Sequence, residues 1–185
     1  MRLIPPDTRL QRSYLAAVDE FADEIRHGDG RWVWLDEAGM EHPWSRADLE
    51  TPDGFADFVA RRRDPNADLP PGWVPCTYLW MDHDGEYVGS LAIRHHLTDF
   101  LATEGGHIGY GVRPSARGQG FAREALRQAL TVCRDDLGLA KVLLTCDDDN
   151  AASARVIEAN GGVLQDVVTA GSDGRAVRRY WIALD

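Results

Sequence analysis

The stretch Gly105–Gly120, GGHIGYGVRPSARGQG, decides how the rest of the chain is read. Its first half contains a short apolar segment, His107–Val112, which predicts a strand. Its second half is a turn rich in Arg and Gly. A helix is predicted from Gly118 to about Asp136, with Phe121, Ala122, Ala125, Leu126, Ala129 and Cys133 as its apolar stripe. A strand, a glycine turn and a helix N-terminus together make an anion cradle. The first helical N–H groups have no partner, and the macrodipole puts its positive end there. Glycine lets the backbone approach the anion closely.

Composition narrows what that anion belongs to. The chain has 185 residues, 44% of them hydrophobic and 27% charged, enough for one domain with a buried core. Its formal charge of −10, from 20 basic and 30 acidic residues, argues against a nucleic-acid backbone as partner. An acidic surface suits a cationic small molecule, and it also serves plain solubility. The three cysteines, Cys76, Cys133 and Cys146, form no CxxC pair and predict a reducing, cytoplasmic setting without disulfides. The start, MRLIPPDTRL, lacks the apolar core of a signal peptide. No run approaches the ~18 apolar residues of a membrane span, so no membrane partner is expected.

Outward from the opening stretch, periodicity supplies the other elements. Leu10, Tyr14, Val18, Phe21 and Ile25 recur at helical spacing and predict a helix over Thr8–Arg26, ended by Gly28 and Gly30. Arg31–Glu50 reads as irregular, with Trp32, Trp34 and Trp44 in a polar setting. Thr51 as N-cap and Pro52 after it predict a helix to Arg63, burying Phe55, Phe58 and Val59. Asp64–Pro75 is a proline-rich loop. Cys76–Met81 and Glu86–Arg94 predict a hairpin, and Lys141–Cys146 a further strand. Asn150 caps another helix, stopped by Gly161 and Gly162, and Val163–Thr169 with Val177–Leu184 close as a second hairpin. This order predicts an α/β fold of the α+β type, a mixed sheet with helices on both faces.

The run Arg117-Gly-Gln-Gly-Phe-Ala122 is not a Walker motif, because no GK[ST] follows, and it lacks the three-glycine dinucleotide pattern. It resembles the pyrophosphate loop of the GNAT superfamily of acyl-CoA-dependent N-acyltransferases, with Arg117, Gly120 and Ala122 in the motif places. KVLLTC followed by DDDNAASARVIEANGG, about 30 residues later, is similar to that family's fifth strand and next helix. The likeness runs from about Tyr78 to Val168. It implies a mostly antiparallel central sheet splayed between the family's fourth and fifth strands. In one domain, residues 1–75 would form the acceptor side and 76–185 the sheet and acetyl-CoA-binding core.

The resemblance also implies roles. The amides of Gly118, Gln119, Gly120, Phe121 and Ala122 would hold the coenzyme A pyrophosphate without a metal, with charge added by Arg113 and Arg117. Pantetheine would run along Tyr110, Gly111 and Val112, reaching Asn150 and Ser153, and an amide near Val112 would polarise the thioester carbonyl. Acetyl transfer to a primary amine of a small molecule, by direct attack in a ternary complex, needs a base. His107 stands where many relatives carry a glutamate, with Glu104 as its rival; otherwise His107 is a strand-end histidine bonded to a loop. Ile157 stands where many relatives carry the tyrosine acid, which turns attention to Ser153. Asp147 and Asp148 are candidates for holding a cationic acceptor or are solvated loop acids, and Trp73 is either a lid or a loop anchor. The histidines show no metal-ligand spacing, so no metal is expected. Alternative readings are an acyl-CoA sensor without turnover, or a transferase acting on a protein N-terminus or charged tRNA. A monomer or homodimer is expected.

Overall fold

In the computed structural model, which describes residues 1–170 and 174–184, alternation along the central strands sorts side chains to two faces. The chain begins with β1 (Arg2–Ile4), a single helical turn at Thr8–Leu10 capped by Asp7, and α1 (Gln11–Phe21). A short ribbon follows, β2 (Val33–Leu35) with β3 (Glu41–Pro43), then α2 (Arg46–Glu50) and α3 (Pro52–Arg63). Next come β4 (Cys76–His83), β5 (Glu86–Arg94), β6 (Ile108–Val112) and α4 (Phe121–Asp135). The chain finishes with β7 (Lys141–Asp147), α5 (Ala151–Glu158), β8 (Val163–Ala170) and β9 (Arg175–Ala183).

The strands form a four-stranded antiparallel sheet in the order β1-β4-β5-β6 and a three-stranded one in the order β7-β9-β8. The period of two sends Leu79 and Met81 of β4 to one face and Trp80 to the other. On the first face they join Leu91, Ile93 and the buried stripe of α4, Ala125, Leu126, Ala129 and Cys133. On the second face Trp80 stacks on Tyr14 of α1, ring centroids 4.8 Å apart, beside Phe55 and Phe58 of α3. Helices therefore cover both faces. Among the described residues, no helix is long and apolar enough to cross a membrane.

The two sheets meet at one point and then part. His107 N donates to Leu143 O at 2.7 Å, and Leu143 N donates back to His107 Nδ1 at 2.9 Å. Gly106, at φ +62°, brings the backbone there; a Cβ on it would lie 2.7 Å from Leu143 O. Beyond this junction β6 and β7 share no strand pairing among the described residues, and the splay opens between them.

Three expectations change. The first helix stops at Phe21 instead of Arg26, because Ala22 turns the chain at φ +46°, and Ile25 is 75% exposed instead of buried. The segment read as irregular contains the β2–β3 ribbon and α2, the latter opened by a capping box between Ser45 and Asp48. β1 joins the sheet edge on β4, a three-residue strand too short for periodicity to reveal.

Candidate active site

The loop between β6 and α4 is held open by two glycines in the left-handed region, Gly118 at φ +76° and Gly120 at φ +82°. Gly120 is the N-cap of α4 and no side chain caps that helix. No acceptor takes the amides from Gly118 to Arg123 among the described residues. A Cβ added at either glycine would meet nothing within 4 Å. Unspent donors facing open space are what a phosphate needs.

A cavity of about 800 Å³ runs from this loop to α5. Of the residues expected to hold the coenzyme, all but Arg113 and Gln119 line it. Arg117 does, with its guanidinium 2.6 Å from the Glu24 carboxylate. Arg113 is turned away. It donates to Tyr87 O at 3.1 Å and to the Glu20 carboxylate, which also accepts from Ser115 N at 3.1 Å. Glu20 and Arg113 thus latch the end of α1 to the entry of the loop.

That latch has a pH signature. The Arg113 guanidinium, with help from Ser115, holds the Glu20 carboxyl at about 2, against ~4.3 in an unfolded chain. A lowered carboxyl contributes its full stability above the unfolded value and loses it as pH falls towards the folded one. Thermal melts of the wild type and Glu20→Gln should differ near pH 6, and the gap should close between about pH 4 and pH 2. A gap that stays constant with pH would mean the latch does not act through ionisation.

On the far side of the cavity, Tyr110 Oη lies 2.9 Å from Ser153 Oγ. Burial pushes the Tyr110 phenol up to about 12, so it keeps its proton through the neutral range. Asn150 Oδ1 caps α5 by accepting from Ser153 N at 3.0 Å. Cys146 is buried and its thiol is pushed up by burial, which leaves it an inert neighbour. Arg113 N donates to Val88 O on β5 at 2.9 Å. By strand alternation the Val112 amide points to the opposite edge, into the splay.

His107 is 6% exposed, and burial holds its pKa below the usual imidazole value. With Nδ1 accepting from Leu143 N, the ring proton belongs on Nε2. Glu104 pairs with Arg175 at 3.0 Å. Asp147 pairs with Arg175 at 3.1 Å and Asp148 with Arg178 at 2.7 Å; neither aspartate lines this cavity or the next. Among the described residues, no group of His, Cys, Asp and Glu could hold a metal ion.

A second cavity, about 570 Å³, lies on the other side of residues 25–28 and includes Trp73, Tyr78 and Arg94 in its lining. Ile25 and His27 line both cavities. The segment carrying them is pinned by Asp29, a buried carboxylate that accepts from Tyr14 Oη at 2.9 Å and Arg26 Nε at 3.1 Å. It crosses β6 at the closest approach glycine permits. A Cβ on Gly28 would sit 2.7 Å from Ser90 O, and one on Gly111 would sit 2.7 Å from His27 O. From the sequence alone Gly28 is only a helix stop. The His-Gly-Asp-Gly run was the available signal for this crossing. Nothing in the sequence pattern marked Arg94.

Residues 18–163 match the family model described as an acetyltransferase (GNAT) domain. The chain belongs to the GNAT acetyltransferase family. A mycothiol acetyltransferase of Salinispora tropica is 29% identical over 161 residues, covering 84% of this chain and 45% of that protein. The chain thus spans less than half the length of this curated relative. Solved structures share the GNAT fold. One is an acetyl transferase from Salmonella typhimurium that modifies the N-terminal serine of ribosomal protein L7/L12. Its TM-score is 0.61 at 17% identity, over 99% of this chain and 94% of that one. Another is a mutant spermidine N-acetyltransferase from Vibrio cholerae, with a TM-score of 0.59 at 15% identity, over 100% and 95%. Ile157 is fully buried, and Tyr110 of β6 lines the cavity.

Proposed function

We propose that this GNAT chain transfers an acetyl group from acetyl-CoA to the primary amine of a small-molecule acceptor, by direct attack in a ternary complex. One observation carries the reading: a cavity lined by Gly118, Gly120, Phe121, Ala122 and Arg123, whose amides have no acceptor among the described residues, adjoins a second cavity at Ile25 and His27. Two adjoining cavities suit a reaction between two substrates. The amides of Gly118 to Ala122 and the Arg117 guanidinium suit the pyrophosphate, with Asn150 and the edge of β6 along the pantetheine. Acetyl-CoA supplies an activated acyl group, which passes to a neutral amine with release of the thiol.

The chain's own groups then divide the work. The Val112 amide, aimed into the splay, is the donor for developing negative charge on the acyl oxygen. Tyr110 Oη, hydrogen-bonded to Ser153 Oγ, holds the proton that the departing sulfur needs. Among the described residues His27 is the only titratable one lining both cavities, and we assign it the proton of the acceptor ammonium. His107, with its Nδ1 engaged by Leu143, is assigned the role of inter-sheet pin.

The test is an acetyl-CoA titration by calorimetry followed by thiol release on an amine panel, with products identified by mass. Acetylated amine, and a His27→Ala variant that keeps acetyl-CoA affinity but loses about 10²-fold in kcat, are the expected results. Tight acetyl-CoA binding with no turnover on any amine would leave a sensor. Full turnover in His27→Ala would move the base elsewhere.

A further inference from the structure

The charge of the acceptor-side cavity runs against the charge of the chain. Arg26, Arg31 and Arg94 line it and, among the described residues, no aspartate or glutamate does, although the chain carries a formal −10. Two of these arginines are already committed. Arg26 bonds Asp29 at 3.1 Å, and Arg31 pairs with Glu41 at 2.5 Å. Arg94 has no carboxylate partner among the described residues. Its Nη1 donates to Gly105 O at 2.9 Å and Gly106 O at 3.2 Å, which fixes the fork and leaves Nη2 without an acceptor among the described residues. A second guanidinium without a carboxylate partner among the described residues is that of Arg62, which does not itself line the cavity but stacks 4.5 Å from the ring centre of Tyr78, a residue of that wall. Both act electrostatically on Cys76 and Tyr78.

The remainder of the rim is apolar and exposed: Ile25, Trp73 and Phe100 are each more than half accessible. A half-buried guanidinium bonded only to carbonyls has lost solvation without gaining a counter-charge. An anionic ligand supplies what is missing, and guanidinium matches planar oxyanions through paired hydrogen bonds. Distance sets a further limit. Both terminal nitrogens of Arg94 lie 3.8 Å from where a Cβ on Gly109 would be, as does Gly28 N, so the fork sits next to the crossing that carries His27.

We propose that the acceptor is an amine that also carries an oxyanion, a carboxylate or a phosphate, on an apolar body. Its anion binds Arg94, its body lies against Trp73 and Phe100, and its amine points to His27, only a few bonds from the anion. This rests on the acetyl-transfer reading above and deepens it. It excludes polyamines, whose cations would meet unpaired arginine.

The test uses a matched set on one scaffold: phenylalanine, its aminophosphonate analogue, phenylalaninamide and phenethylamine, with spermidine as the polycation. The acids should show kcat/KM about tenfold or more above the amide and the amine, and spermidine should be poorest. Which acid wins separates carboxylate from phosphate recognition. Arg94→Gln should remove that advantage while changing the substrates that lack the oxyanion by less than about threefold, and Arg94→Lys should keep part of it. Binding of N-acetylphenylalanine against N-acetylphenethylamine, by calorimetry, reads the same preference without turnover. Equal binding of the two, or an equal loss on every substrate in Arg94→Gln, would overturn the proposal. An acetyl-CoA titration on the same samples separates the failures. No coenzyme binding overturns the function, whereas coenzyme binding without anion preference overturns only this inference.

Discussion

Replacing Gly120 by valine is expected to abolish acetyl-CoA binding while leaving the chain folded. Gly120 sits at φ +82° as the N-cap of α4, and a β-branched residue there strains the backbone by roughly 1–2 kcal/mol. That strain is local, since an added Cβ meets no atom within 4 Å and disturbs no packing. The emptiness is what makes the change severe for the ligand. The new side chain adds bulk at a residue that lines the cavity, next to the amides where the pyrophosphate is proposed to lie. A hydrogen bond to a charged group contributes about 1.5–3 kcal/mol. Losing two of them weakens binding by about 10²–10⁴-fold. Calorimetry reads the affinity and a thermal melt reads the fold. An unchanged Kd in Gly120→Val would end the phosphate-loop assignment.

The second large effect is expected at the hydroxyl pair. Tyr110→Phe and Ser153→Ala should each lower kcat by about 10²-fold, with acetyl-CoA affinity altered only a few-fold. The two hydroxyls are 2.9 Å apart and form one donor unit. Removing both should therefore cost little more than removing either, which a double-mutant cycle measures. Because burial holds the Tyr110 proton up to about 12, the loss should not depend on pH across the neutral range. Wild-type kcat in Tyr110→Phe would show that the leaving group takes its proton from another source.

The part of this architecture that could be read in the sequence is the part whose signals are local. The turn Arg117–Ala122 sits between an apolar strand and an amphipathic helix, so its geometry follows from glycines within a few positions of one another. Asn150 and Gly161 punctuate α5 in the same way. What escaped was settled across the fold. The helical period continues in the sequence through Ile25, yet α1 ends at Phe21. The chain must then bring His27 over β6, while Glu20 and Glu24 reach Arg113 and Arg117. Charges choose partners the same way. Asp147 and Asp148 looked free beside a helix start, but β9 brings Arg175 and Arg178 alongside them. Arg113 looked like a phosphate ligand and is held by Glu20. Tyr110 was read only as a residue along the pantetheine, because nothing nearby in sequence announces Ser153 as its partner.

The crossing of residues 27 and 28 over β6 has a consequence for anyone redesigning the substrate range. Gly28 and Gly111 touch the opposite backbone so closely that any side chain there would wedge the segment off the strand and merge the two cavities. That wall is closed to mutation. Trp73 and Phe100, on the opposite rim, carry no such constraint, so libraries aimed at new acceptors belong there.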